Sequence, residues 1–350
     1  MHMADALLSP TVGATMWAVS AGGVAICSAR LCRRRDDRLA PLMGVLGGFL
    51  FAAQMINFSI PGTGSSGHLT GGLLLAILLG PSAAFLTVAS VLMVQAFFFA
   101  DGGLLALGCN IFNLGMIPAL LVYPLCYRRL IGPAPGRRRE VAVTMFSALL
   151  AMQLGALCVV LETAASGVCA LPLGKFLLLM QPIHLAIGLV EGAVTLAVVS
   201  FLRKARPELL VRGSAPAGAP GRLVLAGFLV CALLVAGALS RFASVQPDGL
   251  EWSVAKVAGG ASLPQQRGGL PALLGALQRK TAWFPDYQPA PAAAPGTATA
   301  PVMAASEGRP VSGKGSGVAG VVGTAVTVLL VAGAALLLRR GSRAAVPPEV

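Results

Sequence analysis

Met1-His2 opens the chain with three nitrogens in sequence order: the terminal amine, the backbone amide of His2 and its imidazole Nδ1. Together they can close two fused chelate rings on one metal ion. The amide binds only after losing its proton, and among divalent ions Cu(II) and Ni(II), which favour square-planar nitrogen fields, best offset that cost. A fourth in-plane ligand is then required. His68 ends an uncharged, glycine-rich stretch that begins at Asn57, and the topology argued below puts it on the same side of a membrane as His2. Its imidazole would complete a four-nitrogen field. The ligand set requires that Met1 keep its amine: a bulky second residue disfavours removal of the initiator methionine, and no basic n-region or small-residue cleavage site marks a signal peptide. The plain alternative is that His2 is an exposed terminal residue of no consequence.

A second candidate is His184 with Glu191, seven residues apart and so on one helix face. Ionisable groups at membrane depth are costly and usually functional. Seven residues are about two helical turns, too far to share one ion without a bend, so a buried hydrogen-bonded pair, or a link between neighbouring helices, is the plainer reading. Asn57, Asn110 and Asn113 are further polar residues at or within apolar segments, and Met3 adds a soft thioether near the terminal nitrogens. Two apparent phosphate motifs are rejected. Gly62-Thr63-Gly64-Ser65-Ser66-Gly67 has G-x-G-x-x-G spacing but lacks the β-α-β surroundings of a dinucleotide fingerprint, and Gly308 to Gly315 has glycine where a phosphate loop needs Ser or Thr.

The elements that must carry these residues are membrane helices. With 56% hydrophobic residues and 11% charged, 350 residues are too apolar for a water-soluble domain. The formal charge of +13 has its source in Arg and Lys clusters at span ends rather than in a nucleic-acid surface. Apolar segments at about 10–31, 41–57, 69–80, 82–99, 104–127, 141–161 and 176–202 predict seven spans with the N-terminus outside, two of them short enough that one is tilted or re-entrant. Segments 222–240 and 318–338 predict two more, flanking an outer region of about 241–317 in which Pro247-Asp248-Gly249 reads as a tight turn. From Pro285 that region thins into an Ala/Pro/Thr/Gly-rich linker. Clusters at Arg30 to Arg38, Arg128 to Arg139, Arg203 to Arg206 and Arg339 to Arg343 all fall on the side the positive-inside rule assigns to the cytoplasm. Ala14, Ala18 and Gly22 form a small-residue stripe that would let another helix approach. The seven cysteines, an odd number without a C-x-x-C pair, read as small buried hydrophobes.

Met1-His2-Met3-Ala4-Asp5, the loop ending Gly67-His68-Leu69, the run Asp101-Gly102-Gly103 through Cys109-Asn110-Ile111-Phe112-Asn113, and Pro182-Ile183-His184 to Glu191 together resemble the CbiM/NikM family over residues 1–205. These are the substrate-binding (S) components of energy-coupling-factor cobalt and nickel transporters. Pro247-Asp248-Gly249-Leu250-Glu251 is similar to the PDGLE region of the small NikN/CbiN component, so residues 222–340 would be that component fused in line, with 206–221 a cytoplasmic linker and 341–350 a cytoplasmic tail. The resemblance implies an all-α polytopic protein of the cytoplasmic membrane, a seven-span bundle plus two further spans flanking an extracytoplasmic domain. It implies metal held by the Met1 amine, the amide and imidazole of His2 and the imidazole of His68, with partner transmembrane coupling (T) and cytoplasmic ATPase (A) subunits and, for cobalt, a link to cobalamin biosynthesis. Ni(II) or Co(II) would be cargo, with no resident cofactor and no catalysis by this chain; the planar nitrogen field and the fusion favour nickel. Met3-Ala4 and Ala6 depart from the family's usual residues without removing a ligand. Two readings of other classes stay open: an ion-coupled secondary transporter using His184 and Glu191, and a non-transporting membrane metal sensor.

Overall fold

The computed structural model describes residues 1–33, 39–169, 171–205, 222–259, 268–288 and 315–344. The linker 206–221, the tail beyond Ala344 and the rejected loop Gly308 to Lys314 lie outside the described residues. Each apolar segment is helical: α1 Pro10–Cys32, α2 Leu39–Gln54, α3 Gly72–Leu79, α4 Pro81–Phe99, α5 Leu107–Ile131, α6 Arg137–Ser166, α7 Leu173–Ala205, α8 Arg222–Gly237 and, after the outer helices α9 Gly249–Ala258 and α10 Gly269–Thr281, α11 Gly315–Ala344. Ser9 starts α1 as expected, its hydroxyl accepting from the Val12 N–H at 3.3 Å with Pro10 in the first turn. The middle of α5, Phe112–Tyr127, is wound with the wider i→i+5 repeat and accommodates Pro118 and Pro124.

Seven of these helices are long and apolar enough to cross a bilayer; α2, at 16 residues, is shorter. The third expected span is a half-helix. The eight residues of α3, all buried, rise only about 12 Å. Before it the chain runs through a hairpin, β1 Phe58–Ile60 paired antiparallel with β2 Ser65–Gly67, and then without regular structure through His68 to Gly71. Gly71 sits at φ 69°, and a Cβ there would meet Leu50 Cδ1 at 2.2 Å, so glycine is required on both grounds. The false dinucleotide motif is this hairpin's turn.

The buried half-helix and α4 form the centre, with α5, α6 and α7 to one side. Helix α1 is peripheral but meets α5 closely: a Cβ on Gly108 would fall 2.4 Å from the Trp17 backbone nitrogen, Ser20 Oγ donates to Gly108 O at 2.6 Å, and Trp17 Nε1 donates to Leu104 O at 2.9 Å. On the other flank α11 packs against α2, where a Cβ on Gly44 would lie 3.0 Å from Val328 O. The C-terminal helices therefore share the first bundle's core.

Three local expectations change. Glu162, just past the expected end of the sixth span at about 161, lies inside α6, where its carboxylate turns inward and accepts from Asn113. Asp248 is the N-cap of α9 rather than a turn residue: its Oδ1 accepts from the Leu250 and Glu251 N–H groups, and Glu251 completes the capping box. The outer region stays packed past Pro285, since the Tyr287 ring stacks on Phe99 at 5.1 Å. Cys231 is exposed, whereas Cys27, Cys109 and Cys169 are buried.

Candidate metal centre

The first eight residues thread into the bundle end that also carries the hairpin. Met3 is bonded like a strand residue: its N–H donates to Asn110 Oδ1 at 2.8 Å, while its carbonyl accepts from Asn110 Nδ2 at 3.3 Å and from the Gly103 N–H at 2.9 Å. Asp5 Oδ1 accepts from the Ala106 N–H at 3.0 Å. Burial raises the Asp5 carboxyl against those backbone donors. Leu7 and Leu8 are buried below, so the terminus is anchored at both ends of its short run.

This threading brings Met1, His2 and His68 together. The terminal amine lies 3.1 Å from His68 Nε2 and 2.8 Å from Asp248 Oδ2. His68 Nδ1 faces its neighbour's carbonyl, Leu69 O, at 3.1 Å, which assigns the proton to Nδ1 and the lone pair to Nε2. Burial first, then the Met1 ammonium and His2, lower the His68 pKa to about 3, with Asp248 opposing. His68 is therefore a neutral donor. The His2 ring stacks on it at 5.0 Å and 9°, its Nδ1 is 3.0 Å from Asp101 Oδ1, and its Nε2 is buried without a partner. Burial would raise the Asp101 carboxyl, but His2 beside it, then Tyr287 and His68, hold it well below the usual carboxylate range. Among the described residues no group of three or more His, Cys, Asp and Glu side chains converges to hold a metal. Any set built here uses backbone nitrogens.

Glu191 fixes the backbone two and three residues after His68. Its carboxylate accepts from the Thr70 N–H at 2.6 Å, the Thr70 hydroxyl at 2.9 Å and the Gly71 N–H at 2.8 Å, next to the start of α3. These donors precede a broken helix at depth, where unpaired N–H groups are costly, and a carboxylate suits the positive helix end. Glu191 and His184 thus share a face of α7 but serve different partners, since His184 Nδ1 bonds Met180 O at 2.8 Å and its Nε2 has none. Asn113 Nδ2 donates to Glu162 at 2.8 Å and touches Met3 Sδ at 4.0 Å, turning that thioether into the bundle. Asn57 stands apart and contributes its carbonyl to the Ser244 N–H at 2.7 Å.

Asp101, Asp248 and Tyr287 were not candidates from sequence. Tyr287 donates to Asp101 Oδ2 at 2.5 Å, one bond from His2. The Pro247 carbonyl accepts from the Ser66 N–H at 2.8 Å, docking the α9 start beside the hairpin. The Asp-x-x-Glu cap signature at Asp248 and the lone acid at Asp101 were readable, but their convergence across more than a hundred residues was not.

Residues 2–209 match the CbiM family, described as the cobalt uptake substrate-specific transmembrane region, and residues 222–340 match the PDGLE domain. The chain is 33% identical to the fused nickel transport protein NikMN of Rhodobacter capsulatus, covering 83% of this chain and 89% of that one. It is 34% identical to the putative fused nickel transport protein NikMN of Archaeoglobus fulgidus over 70% of this chain and 77% of that one, and 32% identical to the cobalt transport protein CbiM of Geobacter sulfurreducens over 74% and 78%. A crystal structure of a transition metal transporter superposes with a TM-score of 0.52 at 28% identity, covering 59% of this chain and 93% of that chain. With its helical bundle, its apolar spans and both matched regions in line, this multi-pass membrane protein belongs to the CbiM family of metal-transport components and carries a fused PDGLE domain.

Proposed function

We propose that the chain is the substrate-capturing component of an energy-coupling-factor importer, taking Ni(II) or Co(II) from the outer face at a four-nitrogen site made by the Met1 amine, the His2 amide and Nδ1, and His68 Nε2. The observation that carries this reading is the 3.1 Å approach of the Met1 amine to His68 Nε2. Two nitrogens each about 2.0 Å from one metal and at right angles around it are about 2.8 Å apart. The pair is nearly at that spacing, with a proton where the metal would sit. For Nδ1 of His2 to join, its ring turns away from Asp101 and out of its stack on His68. Its Nε2, buried without a partner, is then available to bond the aspartate.

With the Nδ1 proton of a neutral His2 passing to Nε2, loss of the proton on the amide and one on the ammonium balances the two charges of the metal. The buried carboxylates Asp101 and Asp248 then face the same net charge before and after loading, which removes a large desolvation cost. Nickel is favoured over cobalt because a planar field with a deprotonated amide suits it better. The arginine-rich ends support an N-terminus outside the cytoplasmic membrane. Coupling and ATPase subunits supply the drive, and Ala14, Ala18 and Gly22, all exposed on α1, form the face offered to the coupling subunit.

The test is metal binding to the purified full chain, nickel against cobalt, with Met1 confirmed as first residue by intact mass. It is compared with a chain carrying one extra residue before Met1 and with His68→Ala. Both variants should lose binding, since the extra residue moves the free amine yet leaves every side chain intact. Native-like binding by both overturns the reading.

A further inference from the structure

The terminal amine has a second partner that four-nitrogen chelation does not use. Asp248 Oδ2 lies 2.8 Å from it, and the two groups are nearly enclosed, with side-chain exposures of 15% for the aspartate and 3% for the terminal residue. This aspartate belongs to the PDGLE domain. It is held there by its own helix, because Oδ1 caps α9 through the Leu250 and Glu251 N–H groups and the Asp248 N–H donates to Glu251 at 3.3 Å. The segment before it is bonded to the hairpin, where Ser66 Oγ donates to Gln246 O at 2.7 Å. A Cβ on Gly249 would meet Ile183 Cγ2 at 2.5 Å and His184 Cε1 at 3.2 Å, so the start of α9 is seated directly on α7. One carboxyl oxygen therefore serves the helix and the other is left to the amine.

A metal-bound amine keeps two N–H groups. In the metal-free chain the amine directs one hydrogen at His68 Nε2 and another at Asp248. Metal replaces the first, and the second has reason to stay, because a coordinated amine is a stronger donor and the pair is nearly enclosed. We propose that Asp248 is a positioning residue of the metal site, the acceptor that keeps the Met1 amine aimed at the metal in both states, so that the PDGLE domain completes the site in addition to covering it. This inference rests on the terminal-amine reading above.

Three full-length variants separate the roles of the side chain. Asp248→Ser keeps a good N-cap but is too short to reach the amine. Asp248→Asn keeps the cap and the side-chain size, but its Nδ2 donor replaces the acceptor that faced the amine. Asp248→Ala removes both cap and acceptor. Nickel affinity and the absorption spectrum of the bound metal are measured for each, beside the chain extended by one residue. The Ser and Ala variants should lose roughly tenfold to a hundredfold in affinity, the usual loss when a partner of a metal ligand is removed. The Asn variant should lose as much as the Ser variant although its cap is intact, with an unchanged spectrum throughout. Native affinity in the Ser variant would show a helix cap only, and a changed spectrum in the Asn variant would show a direct ligand; either overturns the proposal. Because the extended chain reports on the amine alone, native binding there would sink the underlying site instead.

Discussion

Glu191 and Thr70, far apart in sequence, are joined by two hydrogen bonds, from the Thr70 N–H at 2.6 Å and its hydroxyl at 2.9 Å, with Gly71 adding a third to the same carboxylate at 2.8 Å. The contact closes the unpaired start of a half-helix and fixes the chain two residues after His68. Bundle stability and site geometry therefore meet in one side chain.

Glu191→Gln follows from that count. Three donors converge on two carboxylate oxygens, and a glutamine offers one oxygen and a donor in place of the other. Hydrogen bonds to a charged group contribute about 1.5–3 kcal/mol each, so the variant should melt at lower temperature in detergent. It should also bind nickel more weakly, because His68 loses its anchor. A native melting temperature with normal binding would show that the half-helix is held by its apolar packing alone.

Acid should weaken the metal-free fold through His68. Its folded pKa of about 3 lies below the ordinary 6.5, so between those values the unfolded chain binds a proton that the native one does not, and stability falls as pH falls through that window. Asp286, raised to about 6 by burial and then Asp101, and Glu251, raised to about 7 by burial and then Asp248, act in the opposite direction. Their contribution is present at low pH and lost as pH rises through those values. Comparing melting temperature against pH for the native chain and His68→Gln isolates the histidine, and the variant should show the shallower acid loss below 6.5. Parallel curves would place the acid sensitivity elsewhere.

Loading should release two protons per metal from the amide and the ammonium and none from His68, which is already neutral. Where the amine begins as ammonium, affinity then rises about a hundredfold per pH unit. Calorimetry of nickel binding in buffers of different ionisation enthalpy reads the number directly. A single proton would mean that the amide stays protonated and the site is not planar.

Much of this arrangement is legible in the sequence, for identifiable reasons. Ser9-Pro10 and the arginine clusters mark helix ends because capping and charge act locally, and apolar runs mark spans because hydrocarbon tolerates little else. Residues 69–71 look like part of a span for the same reason, since hydropathy reports burial and is blind to whether buried backbone is helical or irregular. That Met1, His2 and His68 meet was reachable by adding topology to chelate chemistry. Asp101, Asp248 and Tyr287 were not reachable, because each acts through a contact that exists only once separate helices pack. Glu191 was visible as a buried acid, but its partners are backbone N–H groups, and these leave no mark in side-chain spacing.

The exposed face of α1 gives the last prediction. A Cβ added to Gly22 meets nothing within 4 Å, whereas one added to Gly108 meets the backbone of α1 at Trp17. Ala18 lies on the outward face with Ala14 and Gly22. Ala18→Leu should therefore leave folding and nickel binding intact while lowering ATP-driven uptake in vesicles that contain the partner subunits, because the leucine meets the incoming helix where close approach is needed. Gly108→Ala should behave in the contrary way, destabilising the isolated chain by about 1–3 kcal/mol through overpacking and weakening binding, because α5 carries Asn110. Normal uptake by Ala18→Leu would assign the stripe to lipid and move the coupling surface elsewhere.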